Sequence, residues 1–237
     1  MLVKTKAIVF STIRYQEKSL IVKCLTEEAG LKTYFIRNAF SKAKNTQNRV
    51  YFQPLTLLDI EAEHKNKSSL EYIKSVSLAH PYHSLNIDYV KNVIAIFIAE
   101  FLSNAVKEEE PNKQLYRFIE TALLWFDNHE GTANFHLYFI LELTKYLGFY
   151  FDDSDEASFY FDSREGVFVN HFNPDCFNEE ETILWRKLMR FNLTDNEKYF
   201  SGNERRNLLR LLVAYYQKHI VNFKEPNALN VLIEVFS

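Results

Sequence analysis

Residues 31–52 read LKTYFIRNAFSKAKNTQNRVYF. The stretch opens as a short strand, Lys32-Thr33-Tyr34-Phe35-Ile36-Arg37, and passes into a loop carrying Lys42, Lys44 and Arg49. It closes on Tyr51-Phe52, read as the aromatic start of another strand. No acidic residue lies between Arg37 and Arg49. Cations interleaved with aromatics on a loop between strands suit a surface that follows a phosphate backbone and stacks on bases. A solvated basic loop is the plainer reading of the same residues, so the charge of the rest of the chain decides between them.

That charge is unevenly distributed. Residues 1–78 hold 13 Lys and Arg against 7 Asp and Glu, a surplus of six positive charges. The remainder holds 15 against 24, an excess of nine negative charges. Asymmetry of this kind points to a nucleic-acid-facing N-terminal part on an acidic body. The overall balance, 47% hydrophobic and 25% charged, is that of an ordinary globular protein. No apolar run approaches the roughly 20 residues that span a bilayer, and MLVKTKAIVFSTIRY alternates as a strand rather than a leader. A cytoplasmic location is therefore expected. Cys24 and Cys176 are too few and too far apart for a disulfide framework or a zinc site.

Working outward, residues 1–78 carry the period of two that marks strands. Val3–Phe10, Ser19–Thr26, 31–37, Leu55–Ala62 and Leu70–Val76 are the five runs, with Gly30 at the turn before the third. Five short strands in this length suit a small barrel, either an OB-fold, whose surface binds oligonucleotides, or an SH3-like barrel. Beyond His80-Pro81 the period becomes 3.6. Val90, Val93, Ile94, Phe97, Ile98, Phe101 and Leu102 form one helical stripe. Further helices follow, one ending at Gly148 and one opened by the capping box Ser201-Gly202-Asn203-Glu204. Residues 149–178 interrupt them with an extended insert whose turn falls at Arg164 to Gly166. The expected class is α+β: an N-terminal five-stranded barrel over 1–79, then a helical bundle over 80–237 containing the insert.

Catalytic chemistry finds little support. Neither GxxxxGK[ST] nor GxGxxG occurs. His129-Glu130 with His136 has the wrong spacing for a helical zinc site, and His80 with His83 offers too few ligands. Asp152, Asp153, Asp155 and Glu156 read as a solvated acidic loop, with a magnesium-dependent nuclease as the remote alternative. No cofactor, no metal and no enzyme activity are expected. Tyr215 and Tyr216 cannot both face one side of a helix, which offers one of them a rim or interface position, but core packing is the preferred reading.

Taken together these elements resemble the RecO family of bacterial DNA repair proteins, which are recombination mediators. The N-terminal pattern of the family appears as Ala7–Phe10, Tyr15-Gln16-Glu17, Ile21-Val22 and Leu25–Gly30, followed by the basic loop at Lys42 and Lys44 and by Phe52-Gln53-Pro54-Leu55. Leu147-Gly148-Phe149 and Phe161–Phe168 resemble its middle elements, and Arg206–Phe236 its closing helices. The resemblance extends over nearly the whole length. It implies an N-terminal OB-fold, a helical C-terminal domain, binding of single- and double-stranded DNA, and annealing of complementary strands. It also implies loading of RecA recombinase together with RecR and the acidic tail of single-stranded-DNA-binding protein, in the cytoplasm at the nucleoid.

Arg14, Lys32, Arg37, Lys42, Lys44 and Arg49 are the expected phosphate contacts, with Tyr34 and Tyr51 as stacking residues. Lys145, on the helix ending in Leu147-Gly148-Phe149, is the expected contact for the acidic tail. Where some relatives carry four zinc-binding cysteines in the insert, this chain has Cys176 alone. An adaptor that docks the acidic tail through its helices, with weak DNA contact, is the alternative function.

Overall fold

The computed structural model describes residues 1–40, 49–65, 70–107, 109–155, 158–195 and 197–235. Strand β1 (Leu2–Tyr15) pairs antiparallel with both β2 (Ser19–Thr26) and β4 (Leu57–Glu63). A bulge between Val9 and Ser11 bends it from one pairing into the other, as an extra residue in one strand does. β3 (Gly30–Ile36) lies against β2, and β5 (Tyr72–His80) against β4, giving the order β3-β2-β1-β4-β5. The two outer strands then meet. Glu71, just before β5, donates its backbone N–H to the Thr33 carbonyl at 2.8 Å and accepts from the Phe35 N–H at 2.9 Å. This parallel bridge joins the sheet into an OB-fold barrel.

Ala7, Val9, Val22, Cys24, Tyr34, Ile36 and Leu58 fill the barrel interior. The sequence reading of Tyr51-Phe52 as the start of a strand is corrected here. Arg49–Phe52 is one turn of 3₁₀ helix, and its Phe52 is buried in the barrel core. Leu55 follows with φ +61°, so the strand begins only at Leu57. Burial of Phe52 and Leu55 compensates the less regular backbone.

Helices α1 (Tyr89–Ala105) and α2 (Lys113–Asn128) complete a compact unit, Met1–Asn128. They cover the end of the barrel that carries the β2–β3 turn. Lys113 pairs with Glu28 at 2.6 Å, Lys6 with Glu120 at 2.9 Å, and Lys23 donates to the Ser103 carbonyl at 2.8 Å. Gly30, at φ +69°, packs so closely on the α1–α2 connection that a Cβ there would sit 2.5 Å from the carbonyl oxygens of Glu109 and Glu110. The change from strand to helix near residue 80 is thus a change of chain type within this unit.

Asp127 anchors the connection from barrel to α1. Its buried carboxylate accepts backbone N–H groups of His83, Ser84 and Leu85, each at 2.8 Å. Burial alone would raise its pKa, but the three amides together hold it below the usual carboxylate value. Lys91, also buried, donates to the Asp127 carbonyl at 3.0 Å.

The second unit is His129–Ser237. α3 (Phe135–Leu147) ends at Gly148 in the left-handed conformation, φ +82°. A hairpin of β6 (Tyr160–Asp162) and β7 (Val167–Val169) forms the expected insert, with Gly166 at φ +69° in its turn. α4 (Glu179–Met189), α5 (Gly202–His219) and α6 (Ala228–Val235) follow, and the capping box at Ser201 and Glu204 is formed. Trp185 centres an aromatic core with Phe151, Phe161, Phe177 and Tyr215.

Tyr215 and Tyr216 are both fully buried, in keeping with core packing, and neither takes the rim position. α5 is packed on two sides, so Tyr215 donates to the Phe149 carbonyl and Tyr216 to that of Ile140, each at 2.8 Å. No described helix is long and apolar enough to cross a membrane.

Both the Gly30 packing and the Asp127 anchor can be tested by stability. Gly30→Ala should cost about 1–3 kcal/mol in a urea titration, because φ and space are both wrong for a side chain. The Asp127 contribution should be complete above about pH 5 and drain away as pH falls through the unfolded carboxyl pKa of about 3.9 and below. Asp127→Asn should flatten that acid limb while lowering stability at pH 7. Urea midpoints at pH 7, 5 and 3 check both.

Candidate nucleic-acid interface

Side chains of a strand alternate, so one decision fixes what β3 shows to solvent. Tyr34 and Ile36 point into the barrel, which sends Phe35 to the outer face, with exposed Arg37 just beyond the strand end. In register across the sheet, Phe35 stands beside Ile21, and Ile21 beside Ile13. Tyr15, two residues beyond Ile13, meets Phe35 edge-on with ring centroids 5.8 Å apart. On the other side the seam at Glu71 delivers Tyr72, whose ring is 6.2 Å from Phe35 and nearly perpendicular to it. Tyr15, Phe35 and Tyr72 thus form a continuous row across three strands.

Cations frame this row. The Arg37 guanidinium lies over Tyr72 at 5.4 Å and over Phe35 at 5.9 Å, and the Lys65 ammonium lies 5.6 Å from the Tyr72 ring. A second station forms near the β1–β2 turn, where Arg14 and Arg49 share the ring of Phe40 at 5.0 and 5.7 Å. Among the described residues no carboxylate pairs with Arg14, Arg37 or Arg49. Exposed cation–π contacts contribute about 0.5–1 kcal/mol each, whereas hydrogen bonds to charged groups contribute about 1.5–3 kcal/mol. A phosphate can therefore draw these guanidiniums off their rings. The rings hold the cations in place without neutralising them.

The sequence candidates divide accordingly. Arg14 and Arg49 come together on Phe40, and Arg37 lies on the aromatic row. Tyr34 is corrected: it is fully buried, its hydroxyl is 2.9 Å from His64 Nε2, and it offers no face to a base. Burial raises its phenol pKa. Lys32 is half-buried, and its charge acts on His64. Burial first, and then the Lys32 charge, hold that imidazole below its usual pKa against the opposing pull of Glu71. Tyr51 is half-buried against the barrel core. Lys42 and Lys44 lie outside the described residues. Lys145, on α3, pairs with Glu142 at 2.7 Å and lies 4.5 Å from the Tyr150 ring.

Sequence reasoning missed Tyr15, Phe35, Tyr72 and Lys65. Alternation sends Tyr34 and Phe35 to opposite faces, and only the barrel's burial of Tyr34 and Ile36 turns Phe35 outward. For metals, no three His, Cys, Asp or Glu side chains among the described residues gather as ligands would. In the acidic loop Asp152 accepts the Ser154 N–H and Asp155 the Ser158 hydroxyl, both at 2.8 Å, which are local turn contacts.

The geometry defines the class first: an OB-fold barrel with a cationic, aromatic outer face, continued by helices. Comparison with known proteins narrows it. Residues 1–82 match the family described as Recombination protein O N terminal, and residues 87–226 match Recombination protein O C terminal. The chain is 50% identical over 238 residues to the DNA repair protein RecO of Flavobacterium psychrophilum. It is 46% identical over 237 residues to that of Flavobacterium johnsoniae and 35% over 239 residues to that of Christiangramia forsetii. In each case 100% of both chains is covered. The chain belongs to the RecO family of DNA repair proteins.

Tyr34→Phe removes a buried hydroxyl and leaves His64 without that partner, so it should cost about 1–2 kcal/mol of stability. DNA affinity should not change, because the outer face is untouched. A denaturant titration paired with a binding titration of the same variant checks both halves.

Proposed function

We propose that this protein binds single- and double-stranded DNA through its barrel, anneals complementary strands, and helps load RecA recombinase on single-stranded DNA during repair. The observation that carries this reading is the contrast between the two ends of the barrel. At the helix-covered end the cations are spent: Lys6, Lys113 and Arg117 pair with Glu120, Glu28 and Glu27. Toward the far end Arg14, Arg37 and Arg49 rest on aromatic rings, which leaves their charge for phosphates. The positive charges of Lys42 and Lys44 belong to the same part of the sequence.

Annealing requires no catalytic group, so the protein is proposed not to be an enzyme. Two strands repel through their phosphates. A cationic surface that holds both lowers that repulsion, and base pairing drives the rest. Loading of the recombinase would bring RecR and the acidic tail of single-stranded-DNA-binding protein to the complex, placing the protein in the cytoplasm at the nucleoid.

The adaptor reading assigns the acidic tail to Lys145. An incoming carboxylate there competes with Glu142, already 2.7 Å away, and an exposed pair of this kind gains little from exchange. That weighs toward DNA as the primary ligand.

Fluorescence anisotropy of a labelled single strand across a salt series tests the proposal. Affinity should fall steeply with salt. Changing Lys42 and Lys44 to Glu should weaken binding and reduce the slope of log K against log salt by about 0.7 for each phosphate that the variant no longer neutralises. Affinity independent of salt would refute it.

A further inference from the structure

We infer that the row Tyr15–Phe35–Tyr72 is a station for unpaired bases, and that through it the barrel favours single-stranded over duplex DNA. The inference deepens the proposed function and rests on the barrel being the DNA-binding part. Three observations carry it.

The first is exposure. Tyr15 is 45% and Ile13 62% exposed, side by side on the outer face, while Phe35 and Tyr72 are half-buried beside them. An apolar patch beside Arg37 and Lys65 is left open to water, where covering it is favourable. The second is ring geometry. Phe35 is set at 83° to Tyr15 and at 89° to Tyr72, so neither flanking tyrosine stacks flat upon it. Parallel stacking is thereby unused within the row. The third is charge. Arg37 and Lys65 sit at the row itself, where phosphates linking stacked bases would pass.

These features separate two forms of the same polymer. A duplex presents phosphates and base edges, and its base faces are occupied by stacking inside the helix. Only a strand without its complement offers base faces to an aromatic row. The Arg14–Phe40–Arg49 station has a single ring rather than a row and brings two guanidiniums to it, so it serves phosphates. The single strand should therefore engage both stations and the duplex only cationic contacts. During annealing, the row would retain a strand while it is unpaired and release it once its bases are stacked in the product.

The test uses the full chain and three labelled ligands of equal length: a single strand, the same strand with abasic sites throughout, and the duplex. Wild type should bind the single strand at least about tenfold more tightly than the abasic strand, since stacking contributes a factor of this order per base. The double variant Phe35→Leu with Tyr72→Leu should lose about tenfold more affinity for the single strand than for the abasic strand or the duplex. Phe35→Tyr with Tyr72→Phe, which keeps both rings, should restore the wild-type pattern. Arg14→Gln with Arg49→Gln should weaken all three ligands alike. If wild type binds the abasic strand as tightly as the normal one, the inference is overturned while DNA binding by the barrel stands. If wild type binds none of the three at low salt, the proposed function falls with it.

Discussion

Two backbone hydrogen bonds at Glu71 hold the candidate site together. They tie the start of β5 to β3, the two strands at opposite edges of the sheet. Each such bond contributes about 0.5–1.5 kcal/mol, a small amount beside the barrel core. Their consequence is geometric: Tyr72 arrives beside Phe35, and Lys65 and Arg37 converge on the ring that results. The Glu71 side chain reinforces the position by accepting the Lys65 N–H at 2.8 Å, which fixes the end of the connection between β4 and β5. Without the seam, β3 would present Phe35 and Arg37 alone.

The same barrel solves two charge problems at once. Acids at its β2–β3 turn, Glu27 and Glu28, receive cations from α2, and Gly30 lets the helix connection come into backbone contact. That end is structural. Among the described residues the far end pairs Arg14, Arg37 and Arg49 with aromatic rings and with no carboxylate. Net charge in the strands is therefore a poor guide to where a phosphate can bind. What matters is which cations have been neutralised within the fold, and that is a property of packing.

Much of the fold could be read from periodicity because local chemistry agreed with it. Gly30 and Gly166 stand at turns that need positive φ, Gly148 ends α3, and Ser201 with Glu204 opens α5. The exposure of Arg14, Arg37 and Arg49 was legible from residue type, since an arginine is almost never fully buried unless paired. Two kinds of information were not legible. Tyr34 and Phe35 are adjacent aromatics in one strand, and choosing the inward one depends on which face the barrel buries. Tyr72 lies some 37 positions from Phe35 in the chain, and a parallel closure leaves no short-range mark in the sequence. Tyr215 and Tyr216 can both be core residues because α5 is covered on two sides.

The central claim is that DNA lies on the outer face of β3 and β5 across the Glu71 seam. Photocrosslinking of a single strand carrying bromodeoxyuridine, followed by peptide mapping, addresses it directly. Crosslinks should fall on Tyr15, Phe35 and Tyr72. Crosslinks confined to the helical unit beyond residue 128, with none on the barrel, would contradict the account.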